Sequence, residues 1–380
     1  MNKLKLYGKR NVIYKAIMYL FRLCPIDEKK IVVSNFRGKG FYDNPKYIVE
    51  KLHEMDESYK LFWLVSDDVD DLPSYIRGIR IHSIKSLFHL STAAIWIDDC
   101  RKPLYATKRK KQYYIQTWHA GISNKLGEAY AIDSLSDEYV LAAQKDSEMA
   151  NLFLSNSEWL SKSYIDSFWY KGEILKKGLP REDVLFENPS KYYKQVCHFY
   201  KSSDNTRFLL YAPTFRKNND ISAYDINYDR LLDTLNKSTG EQWKIIVRLH
   251  PNVASQKDVI DYNDQILNGS EYPDINHLIL ASSIVISDYS SCIFDAMLAK
   301  KQVLIYANDM HSYDRNLAFK WDELPFLISK NNDELNQNVC SFDVSVYRTK
   351  VKNFCEKCGF YESGHAAEEV AKHILYIKEQ

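Results

Sequence analysis

Short apolar runs recur along the chain, separated by longer polar stretches with helix-like spacing. Lys30-Ile31-Val32-Val33, Leu61-Phe62-Trp63-Leu64-Val65, Ala94-Ile95-Trp96-Ile97 and Tyr113-Tyr114-Ile115-Gln116 are rich in β-branched and aromatic residues, and each predicts a strand. Between the first two, Pro45 to Met55 reads as a helix. Strands alternating with helices imply βαβ units and a parallel sheet. Beyond Pro180, the polar stretch Asp204 to Arg207 leads into a second series: Phe208-Leu209-Leu210-Tyr211, Lys244-Ile245-Ile246-Val247, Ser283-Ile284-Val285-Ile286 and Gln302-Val303-Leu304-Ile305-Tyr306. The pattern therefore predicts an α/β protein of two doubly wound domains, residues 29–195 and 196–380. A linker is expected between Glu187 and Thr206, where local helix is indicated and strand signal is weak. No internal repeat or low-complexity tract interrupts this order.

Residues 1–28 read differently. Lys3, Lys5, Lys9, Arg10, Lys15 and Arg22 are interleaved with Val12, Ile13, Ile17, Leu20 and Phe21 at helical spacing, the pattern of a basic amphipathic helix. The apolar run is shorter than the roughly 20 residues a spanning helix needs. Such a helix either lies on an anionic membrane surface or docks on the protein's own core, and the spacing suits both.

Composition narrows the partners. A chain of 380 residues with 45% apolar and 27% charged positions has the balance of a folded protein long enough for two cores. The formal net charge of +1 gives no global field for nucleic acid, so an anionic ligand has to be met by local charge. The 28 tyrosines are scattered through periodic segments, as core and surface residues are, so no nucleic-acid partner is expected. Seven cysteines, an odd number without a secretory leader, do not suggest a disulfide framework. Cys355 and Cys358 form a CxxC, but no second pair or histidine cluster completes a metal site, and two thiols one turn apart on a late helix account for them.

In doubly wound sheets ligands gather at the carboxyl ends of the strands, and those positions here are polar and distinctive. Thr117-Trp118-His119-Ala120-Gly121-Ile122-Ser123-Asn124-Lys125 follows the Tyr113 run, and Ala212-Pro213-Thr214-Phe215-Arg216 follows the Phe208 run. Arg248-Leu249-His250-Pro251 follows the Lys244 run, and Ser287-Asp288-Tyr289-Ser290-Ser291 opens a helix bearing Ile293, Phe294, Met297 and Leu298 on one face. Singly, each has a structural explanation. His119 and His250 read as satisfied histidines, Arg181 as a surface charge, and Ser290 and Ser291 as an N-cap pair. A capped helix start is also an anion site suited to a pyrophosphate. Coincidence at four strand ends favours a ligand.

TWHAGISNKLG, GLPREDVL, YAPTFR, RLHP and SDYSSCIFDAMLAKKQVLIYANDMHSYDRN together resemble the CDP-glycerol glycerophosphotransferase family, which builds teichoic acids and related capsule polymers. The resemblance runs from about Asn44 to about Phe326. It implies a GT-B-like fold, two Rossmann-like domains facing a cleft, with an acceptor-side first domain and a CDP-polyol-binding second one. It implies no cofactor and no metal, a CDP-glycerol or CDP-ribitol donor, and an undecaprenyl-diphosphate-linked glycan acceptor. A peripheral location at the cytoplasmic face of the cell membrane follows by the same resemblance. Carried over by position, the donor contacts are Trp118, Ala120, Gly121, Ile122, Arg181, Pro213, Thr214, Arg248, Leu249, Ser290, Ser291 and Asp295. The family's W-H-G-T-P is replaced after His119 by Ala120, Gly121 and Ile122, so the loop differs in shape while its histidine is kept.

The chemistry implied is phosphoryl transfer, which needs a positioned nucleophile, a base and positive potential around the phosphate oxygens. His119 is the candidate base, with His250 and Arg248 neutralising the pyrophosphate, and the two histidines can exchange roles on sequence grounds. Asp295, one turn into its helix, suits a hydroxyl of the donor's ribose or polyol, or an ordinary helix contact. Two other readings share the fold: a sugar-nucleotide glycosyltransferase or epimerase, and a non-enzymatic membrane-associated scaffold.

Overall fold

The computed structural model describes residues 3–66, 72–123, 127–214, 216, 224–249, 260–311, 313, 317–361 and 364–377, the side chains of 3–7 excepted. The chain divides into two compact units, one of residues 1–120, 127–183 and 361–380, the other of 121–126 and 184–360. The unit division falls after Asp183, upstream of the expected linker, and the segment from 361 onward returns to the first unit.

The first unit holds α1 (Lys3–Leu20), β1 (Asp27–Ser34), α2 (Asp43–Met55), β2 (Lys60–Val65), β3 (Ile76–Arg80), α3 (Ile84–Thr92) and β4 (Ala93–Asp98). It continues with β5 (Tyr113–Gln116), α4 (Asp137–Met149), β6 (Leu152–Ser155), α5 (Glu158–Ser167) and β7 (Glu173–Lys176). The strands form one parallel sheet in the order β3-β2-β1-β4-β5-β6-β7. Central strands are buried on both faces, as in Ile31, Val32 and Val33 of β1 and Ile95, Trp96 and Ile97 of β4, which is why they read as unbroken apolar runs.

The second unit holds α6 (Pro189–Phe199), β8 (Arg207–Tyr211), α7 (Tyr228–Thr239), β9 (Trp243–Val247), β10 (Ile266–Asn268), α8 (Ile275–Ala281) and β11 (Ile284–Ser287). Then come α9 (Cys292–Leu298), β12 (Gln302–Tyr306), β13 (Leu327–Ser329), α10 (Asn332–Cys340) and α11 (Val344–Cys358). Its sheet is also parallel, in the order β10-β9-β8-β11-β12-β13. Counted within each unit, the first sheet runs 3-2-1-4-5-6-7 and the second 3-2-1-4-5-6, so in each the strand order reverses between the first and fourth strand. That reversal is where doubly wound folds bind ligands.

The segment from Glu187 to Thr206 contains a helix, as its sequence indicates. Asn188 caps α6, Pro189 occupies its first turn, and the helix packs on α8, with Tyr192 and His277 rings 4.5 Å apart. The last helix, α12 (Ala366–Ile377), buries Ala367, Val370, Ala371 and Ile374 and packs on α2. Asp183 accepts from the backbone N–H groups of Gly364, Ala366 and Ala367 at 3.2, 2.9 and 2.8 Å, so the residue at the end of Gly178-Leu179-Pro180-Arg181-Glu182-Asp183 anchors the start of that helix.

For α1 the two alternatives are not exclusive. One face docks: Met18 is buried, its carbonyl accepts from Ser91 Oγ, and Tyr14 meets Tyr105 edge-on at 5.1 Å. The other leaves Val12 69%, Ile13 55% and Leu20 63% exposed, followed by Leu23 at 85%. Among the described residues no helix is long and apolar enough to cross a membrane.

Candidate active site

In the first unit the switch point lies between β1 and β4, and a buried aspartate straps it. Asp99 follows β4, and its carboxylate accepts from Phe36 N at 2.7 Å and Asn35 Nδ2 at 2.8 Å, both just beyond β1. The backbone carbonyl of Asp99 lies 2.8 Å from His119 Nδ1. A carbonyl can only accept, so Nδ1 carries the proton and Nε2 keeps its lone pair. Burial holds His119 below the ordinary histidine pKa, and the Arg181 charge works in the same direction. The imidazole is therefore neutral at pH 7, with its basic nitrogen defined by geometry.

The histidine loop is held from three sides. Trp118 adopts φ +53°, a conformation costly for a bulky residue, and its N–H donates to Gln116 Oε1 at 2.9 Å. Gln116 Nε2 in turn reaches Tyr114 Oη at 2.9 Å and Asp146 at 3.2 Å, and Asp146 pairs with Arg101 at 3.3 Å. Arg101 also forks onto Glu128 and bonds Ser147 Oγ at 2.8 Å, a fully buried cation balanced by two carboxylates. Asn44, fully buried at the start of α2, donates to the Trp118 carbonyl at 3.0 Å and accepts from Arg181 N at 2.9 Å. It thereby joins the histidine loop to the Gly178–Asp183 turn. Arg181, expected at the surface if structural, is 5% exposed beside Glu182.

The second unit repeats the arrangement. Asp288 follows β11 and straps the loop after β8: Thr214 N at 2.8 Å, Thr214 Oγ1 at 2.5 Å and its own neighbour Tyr289 N at 2.6 Å all donate to its carboxylate. Arg216 bridges Asp288 Oδ2 at 2.8 Å and Asp309 Oδ2 at 2.6 Å, and these carboxylates raise its pKa further despite burial. The guanidinium lies over the Tyr289 and Tyr313 rings, which stack at 3.5 Å. Pro213 and Thr214 are thus fixed and buried at the strand end.

Arg248 donates to the carbonyls of Gly269, at 2.8 Å, and Tyr272, at 2.5 Å, in the segment after β10. Leu249 is buried, with its N–H on Ser270 Oγ at 3.1 Å, and His250 lies outside the described residues. The N-cap expectation for the serine pair needs correction: Ser291 stands at the cap position with helical φ and no side-chain cap bond, and Ser290 Oγ accepts from Cys292 N at 3.4 Å. Neither hydroxyl is consumed in a tight cap. Asp295 is buried and engaged within the protein. Ala120 is half-buried, while Gly121 and Ile122, buried, group with the second unit. A cavity of about 720 Å³ opens at the amino ends of β8, β9 and β11, beside Arg207, Gln242 and Ser283, the opposite edge from Thr214 and Asp288. Among the described residues no three His, Cys, Asp or Glu side chains are grouped to hold a metal ion.

Asn44 and Asp99 lie outside the motifs quoted above, whereas Asp288, Arg216 and Asp309 stand inside them without an assigned role. Four of the five, all but Asn44, follow a strand end.

The sequence profile of the CDP-Glycerol:Poly(glycerophosphate) glycerophosphotransferase family matches residues 16–376. The chain belongs to this family. As a member it is a transferase of the CDP-glycerol glycerophosphotransferase class. The teichoic acid poly(glycerol phosphate) polymerase of Bacillus spizizenii is 25% identical over 378 residues, covering 96% of each chain. The chain spans about half the length of two other curated polymerases of that name. A teichoic acid ribitol-phosphate primase of the same organism is 26% identical, over 96% of this chain and 95% of its own. Among solved structures, a histidine-to-asparagine variant of the wall teichoic acid polymerase TagF soaked with CDPG superposes with a TM-score of 0.86 at 25% identity, covering 100% of this chain and 98% of that one.

Proposed function

We propose that the protein transfers glycerol phosphate from CDP-glycerol to a hydroxyl of an undecaprenyl-diphosphate-linked teichoic acid or capsule-type glycan, releasing CMP, at the cytoplasmic face of the membrane. The observation that carries this reading is the His119 imidazole, neutral, with Nδ1 tied to the Asp99 carbonyl and Nε2 left basic. The acceptor oxygen attacks the glycerol-bearing phosphorus, its proton passes to His119 Nε2, the bond to the CMP oxygen breaks, and CMP leaves as the anion. Arg181, Thr214, Arg248, His250, Ser290 and Ser291 supply donors and positive charge to the diphosphate and its transition state, where such groups act most strongly. No cofactor is needed for this displacement.

Relatives acting with glycerol and with ribitol phosphate are about equally similar to the chain, so ribitol is the specific competitor. Titration calorimetry with CDP-glycerol, CDP-ribitol and a UDP-hexose separates the readings. CDP-glycerol is expected to bind tightest and the UDP-hexose at least 10-fold more weakly; tighter binding of CDP-ribitol or of the UDP-hexose would reassign the donor.

Membrane attachment is assigned to the outer face of α1. Val12, Ile13 and Leu20 are exposed there, with Lys9 and Lys15 beside them, and each basic residue near an anionic surface adds about 1 kcal/mol. Because Met18 is part of the core, deletion of α1 would confound folding with binding. The triple substitution of Val12, Ile13 and Leu20 to Glu leaves the docked face intact. It is expected to abolish cosedimentation with anionic liposomes at low salt while the melting temperature stays unchanged. Retained sedimentation would move the membrane contact elsewhere.

A further inference from the structure

Behind the histidine loop, in the first unit, a cavity of about 300 Å³ lies at the carboxyl ends of β1, β2 and β4. Its walls combine two kinds of surface. Leu64, Ile81, Leu90 and Leu104 provide an apolar floor, and Arg10 of α1 and Arg37 of the loop after β1 stand exposed at the margin. Asp98 and Glu138 also face it, Asp98 being cancelled by Lys102 at 2.5 Å and Glu138 lying out on α4.

Three features give this cavity a role. First, it adjoins the base on two sides: Cys100 in its wall follows Asp99, which holds His119 Nδ1, and Arg37 follows Phe36, whose ring lies 5.3 Å from the His119 ring. Second, the backbone displaying Arg37 is strained on purpose. Phe36 and Arg37 have φ of +39° and +59°, a conformation that costs on the order of 1–3 kcal/mol per residue and persists only where neighbours enforce it. Asp99 enforces it through Phe36 N, and Gly38 closes the turn at φ +91° with its carbonyl on Ser66 N at 2.8 Å. No ion pair involving Arg37 forms among the described residues. Third, Arg10 and Asn11 line the cavity from the same helix whose next residues, Val12 and Ile13, are the exposed apolar ones.

We propose that this cavity is the acceptor subsite, receiving the phosphate-bearing end of the acceptor with Arg10 and Arg37 on its phosphate oxygens and its carbon skeleton against the apolar floor. This assignment rests on the transferase reading above. The shared chemistry is a phosphate ester of a polyol or glycan, which can come from the carrier diphosphate or from glycerol phosphate units already added.

The test is equilibrium binding by calorimetry, without donor, of two soluble probes: a disaccharide on a short alkyl diphosphate and an oligo(glycerol phosphate). Arg37→Ala and Arg10→Ala are each expected to weaken the recognised probe about 10-fold or more. Ala142→Trp, at a half-buried wall position, should block it sterically without disturbing the charges. Loss of the first probe alone identifies the carrier diphosphate, and loss of the second identifies the growing polymer. Unchanged affinity for both probes in folded Arg37→Ala and Ala142→Trp overturns the proposal, as does a wild-type protein that binds neither. CDP-glycerol titrated into the same proteins should bind all of them equally. Absence of donor binding in every protein, wild type included, is a failure of the transferase reading and is told apart in this way.

Discussion

His119→Ala lowers turnover by about 100-fold or more with the fold intact, the usual magnitude for removing a positioned base. The imidazole is half-buried and contributes one hydrogen bond, to the Asp99 carbonyl, so stability changes little beside the loss in rate. The pH profile carries the sharper signature. Burial and Arg181 place the His119 pKa below the ordinary value near 6.5, so the acid limb of kcat/KM falls below pH 6.5. Protonation at lower pH fills Nε2 and ends its action as a base. Removing the Arg181 charge, as in Arg181→Leu, relieves part of that depression and moves the limb upward, whatever it does to donor affinity. A variant at His119 with near wild-type turnover would remove this residue from the chemistry.

Arg216→Ala destabilises the second unit by about 3–5 kcal/mol, a drop in melting temperature on the order of 10 °C. The guanidinium is 8% exposed and stands between two carboxylates, Asp288 and Asp309. Without it both carboxylates lose the cation that bridges them, and the Thr214 carbonyl loses its 2.6 Å bond. Arg216→Lys restores one charge but not the fork, and recovers only part of the loss. Since Asp288 fixes Pro213 and Thr214, donor affinity falls in parallel. Thermal denaturation followed by circular dichroism, with CDP-glycerol titration of the folded fraction, checks both. A shift below about 1 kcal/mol would make this network peripheral.

The sequence was legible where strands are buried on both faces. Tyr113–Gln116 and Gln302–Tyr306 coincide with their runs, and β1, β2, β4, β8, β9 and β11 differ only at the ends. It was mute at the sheet margins. Ile76–Arg80 carries Arg77, Gly78 and Arg80, Ile266–Asn268 and Leu327–Ser329 are three residues each, and Glu173–Lys176 is polar at both ends, so none alternates or runs long enough to announce a strand. Leu152–Ser155 is buried throughout yet only four residues long. The return of α12 to the first unit was invisible because its determinant, Asp183, lies 183 residues before Ala366 in the chain. In the site, motif reading found the side chains presented at strand ends. Asp99 and Asp288 carry no role there, because strapping neighbouring loops shows only once strands separated in sequence are side by side.

The central claim is a group transfer, and the most direct measurement follows both products at once. Wild-type protein is incubated with CDP-glycerol labelled in the glycerol and a lipid-linked glycan acceptor, with CDP-ribitol in parallel. CMP release and label incorporated into acceptor are then quantified together. Equal amounts of the two products from CDP-glycerol, lost together in His119→Ala, are the predicted result. CMP released without incorporation, no reaction with CDP-glycerol, or faster transfer from CDP-ribitol would contradict it.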